Sequence, residues 1–187
     1  MAIVINSLRN KNKEAIMLKE IKIEELTLNP VTRIGKDYML VTAGNKERGY
    51  NTMTAGWGQL GAIWGLGKAN PTSVIFIRPE RYTKEFVDRE AFYTLSFFPE
   101  EYKKALMYLG SHSGRDEDKV TNAGLTPVFD GDCTYFAEAN LVLFCRKLYR
   151  QTLSEDCFID KSIVDKCYPD KSFHDMYIGE ITKVLSL

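Results

Sequence analysis

Between Gly56 and Pro71 the chain carries Gly56, Gly58, Gly61, Gly65 and Gly67 and closes on Asn70-Pro71. A glycine inside a helix costs about 1 kcal/mol relative to alanine, so this density forbids a stable helix. It predicts a loop around Leu60, Ile63, Trp64 and Leu66 instead. The same stretch contains a formal GxGxxG, Gly56-Trp57-Gly58-Gln59-Leu60-Gly61. Glu80 follows about 20 residues later, as in a dinucleotide fingerprint. That fingerprint needs a helix directly after the glycines, and none can form here. The downstream chain supplies no βαβ units either, so the motif is a decoy.

Just upstream, Tyr50-Asn51-Thr52-Met53-Thr54-Ala55 is too polar for a plain core strand and too rich in β-formers for a loose loop. Extended backbone fringed with short hydrogen-bonding side chains suits the edge of a flat polar ring system.

The rest of the chain reads as strands with few helices. Strands are expected at Tyr38–Ala43, Thr72–Ile77, Phe92–Phe98, Thr134–Ala139, Leu141–Arg150 and Met176–Leu185. Ile21-Lys22-Ile23 alternates, and Asn29-Pro30 marks a turn. Thr83 is placed to N-cap a helix over Lys84–Glu90. Pro99 opens an amphipathic helix with Tyr102, Ala105, Leu106 and Leu109 on one face and a stop at Gly110. A helical turn is expected at Lys119-Val120, and another at Ile163-Val164 inside a polar insertion, 153–173. In the strand at 141–146, Leu141, Leu143 and Cys145 alternate with Val142 and Phe144, so both faces are largely apolar. Residues 1–20, with a charged patch at Arg9–Glu14, read as a loosely held lead-in to a single domain spanning 1–187. About seven strands without regular βα alternation predict a mainly β protein, an antiparallel sheet or barrel with short helices at its ends.

Lys+Arg and Asp+Glu balance at 25 each, which argues against a nucleic-acid or acidic-membrane binder. No apolar run approaches the roughly 18 residues of a membrane span, and no secretory signal is visible. Cys133, Cys145, Cys157 and Cys167 lack a CxxC spacing, and reduced, mostly buried thiols are expected. The protein is therefore expected in the cytoplasm. His112 and His174 are the two histidines; with no HxxxH spacing, no metal site is expected. No GxSxG elbow supports a nucleophilic serine.

Two polar segments can hold an anion. Arg78-Pro79-Glu80-Arg81-Tyr82-Thr83 follows a strand and opens a helix, where backbone N–H groups, helix dipole and guanidinium forks converge. The rival reading is a surface turn whose arginines pair with Glu80, Asp88 or Glu90. Ser111-His112-Ser113-Gly114-Arg115-Asp116-Glu117-Asp118-Lys119 sets hydroxyls around a glycine beside two bases. Its rival is a solvated loop with internal ion pairs. Two such loops beside a hydroxyl-rich strand favour one phosphorylated planar ligand. Among Trp57, Trp64, Tyr82, Phe97 and Phe98, one or two can wall a ring pocket and the rest belong to the core.

Asn51-Thr52-Met53-Thr54, Arg78-Pro79-x-Arg81-Tyr82-Thr83 and Ser113-Gly114-Arg115-x-x-Asp118-Lys119, in this order, resemble the flavoredoxin-like branch of the flavin reductase family. Glu138-Ala139, Cys145-Arg146-Lys147-Leu148-Tyr149 and His174 with Tyr177-Ile178-Gly179-Glu180 extend the resemblance to about residues 20–185. It implies an FMN-binding split barrel of Greek-key topology, usually a homodimer with FMN near the subunit interface. It also implies NAD(P)H-dependent reduction of flavin, or electron transfer through bound FMN to a small-molecule or protein acceptor. The alternative it leaves open is a non-catalytic FMN-binding carrier or flavin store. By this resemblance Asn51, Thr52, Met53 and Thr54 line the ring and upper chain. Arg78, Arg81, Tyr82 and Thr83, with Ser111, Ser113, Gly114, Arg115 and Lys119, surround the phosphate. Trp57 and His174 stand at the rim. The flavin N5 carries the hydride, so no protein acid or base is required.

Overall fold

The computed structural model describes residues 18–187. In chain order these form β1 (Lys19–Ile21), α1 (Pro30–Gly35), β2 (Met39–Asn45), β3 (Gly49–Ala55), β4 (Gly58–Ile63) and β5 (Asn70–Ile77). Then come α2 (Tyr82–Arg89), β6 (Phe92–Phe97), α3 (Lys103–Ser111), α4 (Lys119–Asn122), β7 (Pro127–Asp130) and β8 (Cys133–Phe136). The chain ends with β9 (Leu141–Thr152), α5 (Ser162–Cys167) and β10 (Asp175–Ser186).

The main sheet is antiparallel in the order β3-β2-β6-β9-β10-β5-β4, with β1 added to β10; β7 and β8 form a separate hairpin. Only Gly56 and Trp57 separate β3 from β4, yet these strands are opposite edges of the sheet. So short a link reaches roughly 10 Å at full stretch. The sheet must therefore curl until its edges nearly meet. Chain continuity closes the barrel, and a split remains between β3 and β4. Crossings from β2 to β6, β6 to β9 and β5 to β10 make it a Greek key.

Both faces of the central strands are buried, as the alternation around Leu141 predicts. Met39, Val41, Leu95, Leu141, Leu143 and Cys145 point into one core with Ile75, Tyr93 and Tyr177. Leu40, Val142 and Phe144 point the other way, against Leu106 and Leu109 of α3, Val120 of α4 and Phe136 of β8. A period-2 strand sends neighbours to opposite faces, so apolar residues at every position mean cover on both sides.

Several local expectations are corrected. The glycine-dense segment does not form a helix, but most of it is the strand β4 rather than a loop, because the ladder with β5 runs from Gly58–Ile75 to Ile63–Asn70. Gly58 is required there: a Cβ would lie 2.9 Å from both the Val74 carbonyl oxygen and the Met39 side chain. The loop shrinks to the hairpin turn, where Trp64, Gly65 and Gly67 take positive φ. Asn29-Pro30 starts α1, with the Asn29 side chain accepting from the Thr32 amide. Gly110 does not stop α3, which runs to Ser111. A Cβ at Gly110 would meet the Thr54 side chain at 3.3 Å, so the residue permits close approach of α3 to β3.

The charged patch Arg9–Glu14 lies outside the described residues, but the end of the expected lead-in is a strand, Lys19–Ile21, held on Val184–Ser186. The four thiols are free; Cys133 and Cys145 are buried, whereas Cys157 is exposed and Cys167 half-buried. The insertion at 153–173 is polar by composition, yet it gathers Phe158, Tyr168 and Phe173 into one aromatic cluster.

Candidate functional site

Helix α2 is fixed at its C-terminal end and open at its N-terminal end. Lys147 on β9 donates through Nζ to the carbonyls of Val87 and Asp88 in the last turn, satisfying acceptors that the helix leaves unpaired. Lys84 reaches Asp88 at 2.6 Å and the buried Asp175 at 2.8 Å. Arg150 and Thr152 also donate to Asp175. At the other end no side chain caps the helix. The N–H groups of Tyr82 and Thr83 stand at its first positions, where no intrahelical acceptor exists. Thr83 is not the N-cap that its sequence context suggests. Its hydroxyl accepts a hydrogen bond from Asn51 Nδ2 at 2.8 Å, so it couples α2 to β3.

This open helix end faces a cavity of about 110 Å³. Asn51 and Met53 of β3, Glu80, Arg81, Tyr82 and Thr83, and Ser111 to Gly114 with Lys119 line it, with Leu109 beneath. Lys119 is buried at 4% exposure. Its ammonium donates to the Leu109 and His112 carbonyls, each at 3.1 Å. Burial, with the Arg81 charge nearby, lowers its pKa to about 8. Among the described residues only the Glu117 charge, acting at longer range, offsets that of Arg81 at this ammonium. Arg81 donates to the Gly110 carbonyl at 3.2 Å. Gly114 lets the loop approach β3 closely at this wall, since a Cβ would come within 2.3 Å of Asn51 Oδ1. The cavity thus gathers two cations, uncapped helix amides and hydroxyls in a space suited to one small anion.

The remaining residues singled out from the sequence lie around this cavity or away from it. Met53 is buried and lines the pocket. Thr52 turns inward, its hydroxyl 2.8 Å from that of Thr42 and also donating to the Val41 carbonyl. Thr54 donates to the Leu106 carbonyl of α3 at 2.5 Å. These two side chains position β3, whose other edge has no strand partner. Arg78 points elsewhere: it donates to the Cys167 carbonyl at 2.6 Å, reaches Asp170 and stacks over Tyr168. Arg115 pairs with Glu85 at 2.5 Å and lies over the Tyr82 ring.

His174 packs against Trp57 with ring centroids 4.9 Å apart, and neither lines the cavity. Its Nδ1 is 2.9 Å from the Tyr168 hydroxyl. Burial, reinforced by the Arg78 charge, lowers its pKa to about 4 and keeps the ring neutral at ordinary pH. Sequence reasoning passed over Tyr168, and it placed Glu80 and His112 at the site only as members of the two polar segments. Tyr168 was detectable only as one of three aromatics in a polar segment.

The chain is thus a split Greek-key barrel with a cation-lined cavity beside an unpaired strand edge. The family model for the flavin reductase like domain matches residues 31–186, and the chain belongs to that family. No curated protein matches the sequence. Solved structures do. The FMN-binding domain of a flavin reductases-like enzyme from Shewanella baltica superposes with TM-score 0.62 at 14% identity, covering 90% of this chain and 76% of that one. Flavoredoxin of Desulfovibrio vulgaris (Miyazaki F) gives 0.57 at 23% identity, covering 79% and 67%. Nitrilotriacetate monooxygenase component B from Bacillus cereus gives 0.59 at 16%, covering 88% and 79%. At such identities the likeness establishes the fold.

Proposed function

We propose that the protein is an FMN flavoprotein that passes electrons from NAD(P)H through the flavin to an acceptor. The observation that carries this reading is the cavity at the open end of α2, set directly beside the free edge of β3. Its donor set fits a phosphate monoester: Lys119 and Arg81 supply charge, Thr83 and Tyr82 supply amides, and Ser111 and Ser113 supply hydroxyls. When bound there, FMN would supply hydride-accepting and electron-transfer chemistry.

The chain's own residues bind and orient. Lys119 and Arg81 neutralise the phosphate, each charge-assisted contact contributing about 1.5–3 kcal/mol when desolvated. The Asn51–Thr83 bond fixes the distance between the phosphate cavity and β3. Asn51 to Thr54 present backbone to the ring along the unpaired edge, where N–H groups tune its potential. Trp57 and His174 would stand at the rim of the site, where the neutral His174 adds no charge.

A flavoredoxin-like electron carrier is the second reading; the sequence holds no nicotinamide signature that would separate the two. A homodimer accompanies either reading. Its support is the uncharged outer strand β4, whose Leu60 lines a surface recess with Trp57 and with Val31 of α1, the last two exposed. No helix among the described residues is long and apolar enough to cross a membrane, and we place the protein in the cytoplasm.

The test is spectroscopic. The purified protein, or the protein given FMN, should show bound-flavin absorption, and Arg81→Ala with Lys119→Ala should release it. Full FMN occupancy in that double variant removes the phosphate assignment. Anaerobic NADH or NADPH should bleach a reductase and leave a carrier yellow.

A further inference from the structure

Arg115 sits in the anion-binding loop, yet its side chain does not line the cavity. Its guanidinium crosses from that loop to the opposite wall. One arm donates to the Glu80 carbonyl at 3.3 Å and the other meets the Glu85 carboxylate at 2.5 Å. The guanidinium carbon lies 4.5 Å from the centroid of the Tyr82 ring. Both forks are therefore committed to the wall formed by Glu80, Tyr82 and α2. The loop side is equally ordered: the Arg115 amide donates to Ser113 Oγ at 3.2 Å, and Asp116 donates to the Ser113 carbonyl. From the insertion, the Ser172 hydroxyl donates to the Glu80 carboxylate, tying down the same wall from its other side.

We propose that Arg115 is a clasp over the phosphate end of the site, which slows release of FMN and excludes FAD. The inference rests on the FMN reading above. A flavin mononucleotide ends at its phosphate, which the enclosed cavity can take whole. An FAD continues into a pyrophosphate and a nucleoside, and these must leave between Ser111–Gly114 and Glu80–Tyr82. The clasp joins those two walls. The cavity, at about 110 Å³, is also well below the roughly 300–1,000 Å³ of pockets that take a whole drug-sized molecule. While the clasp is closed, the loop wall and the helix wall stay joined across the phosphate end. The ion pair is solvent-exposed and the stacking contact adds to it, so the clasp opens rarely rather than never.

Arg115 is thus a specificity residue acting through Glu85 and Tyr82, not a phosphate ligand. Two variants separate these roles, because Arg115→Ala removes the cation whereas Glu85→Ala frees it to turn toward the anion. Both positions are exposed, so the fold should survive either change. Stopped-flow release of FMN and fluorescence titration with FMN and FAD are the measurements. Both variants should release FMN about tenfold faster, the combined worth of an exposed ion pair and a cation–π contact. Both should also bind FAD measurably where the unaltered protein does not. If Glu85→Ala holds FMN as long as the unaltered protein does, or longer, Arg115 is a direct ligand and the clasp is wrong. If neither variant changes release or admits FAD, the clasp is wrong as well. An unaltered protein that takes up no FMN overturns the flavin reading itself, a result distinct from both.

Discussion

Asn51 on β3 donates through Nδ2 to the hydroxyl of Thr83 on α2 over 2.8 Å, and both side chains are buried. This single bond joins the strand proposed to carry the flavin ring to the helix end proposed to carry its phosphate. Thr83→Val keeps the shape and removes the acceptor, leaving a buried amide donor unpaired. We expect a loss of about 1–3 kcal/mol in denaturant unfolding of the flavin-free protein, together with weaker FMN binding. An unchanged denaturation midpoint would show that the bond holds nothing in place.

Gly114→Ala should be harmful although the glycine has ordinary backbone angles. The added methyl would stand 2.3 Å from Asn51 Oδ1 and 3.4 Å from the Tyr82 ring. Overpacking of this kind costs about 1–3 kcal/mol, and here relief means moving the loop at 111–119. FMN titration should show weakened binding; equal affinity would mean that the loop yields freely.

Lys119 should make FMN binding depend on pH. Its pKa in the folded, flavin-free protein is lowered from 10.5 to about 8, so the ammonium needed for the phosphate is lost as pH rises through 8. Affinity should fall by up to about tenfold per unit above that point, and Lys119→Met should bind weakly with little such dependence. The sign reverses for stability without flavin. Between 8 and 10.5 the unfolded chain holds the proton that the folded one has lost, so this group's contribution improves with rising pH. Titrations at pH 7 and 9, with and without the substitution, measure both.

His174 should contribute to acid sensitivity. Its pKa falls from 6.5 to about 4 on folding, so the unfolded state takes up the proton first. The contribution of the neutral ring is complete above 6.5 and lost as pH falls toward 4. His174→Gln should therefore lose less stability than the unaltered protein between pH 7 and 5, as read by urea midpoints. Parallel losses would mean that His174 titrates normally.

Much of the barrel was legible because both faces of its strands are covered. Leu141 to Cys145 announces two cores through an unbroken apolar run, and Leu106 with Leu109 announces the helix that covers one of them. Strands β1, β4 and β7 were missed for a common reason. Each is short or polar and holds its shape through a partner strand: Val184–Ser186 for β1, β5 for β4 and β8 for β7. Glycine content said correctly that 56–67 is not helical. It could not say that a neighbouring strand would pair with it.

The candidate site shows the same division. Local chemistry was enough to single out two polar loop segments and a polar strand that meet around one cavity, since hydroxyls, glycines and guanidinium groups act over a few residues. Arg78, Arg81 and Arg115 were indistinguishable at that level. Their partners, Cys167 for Arg78, Gly110 for Arg81 and Glu85 for Arg115, lie 89, 29 and 30 residues away along the chain. A long, flexible side chain is assigned by whichever acceptor the fold brings within its reach. Only the curled sheet, which sets α2 and the loop at 111–119 beside β3, decided that Arg81 and Lys119 face the cavity and that Arg115 bridges its walls.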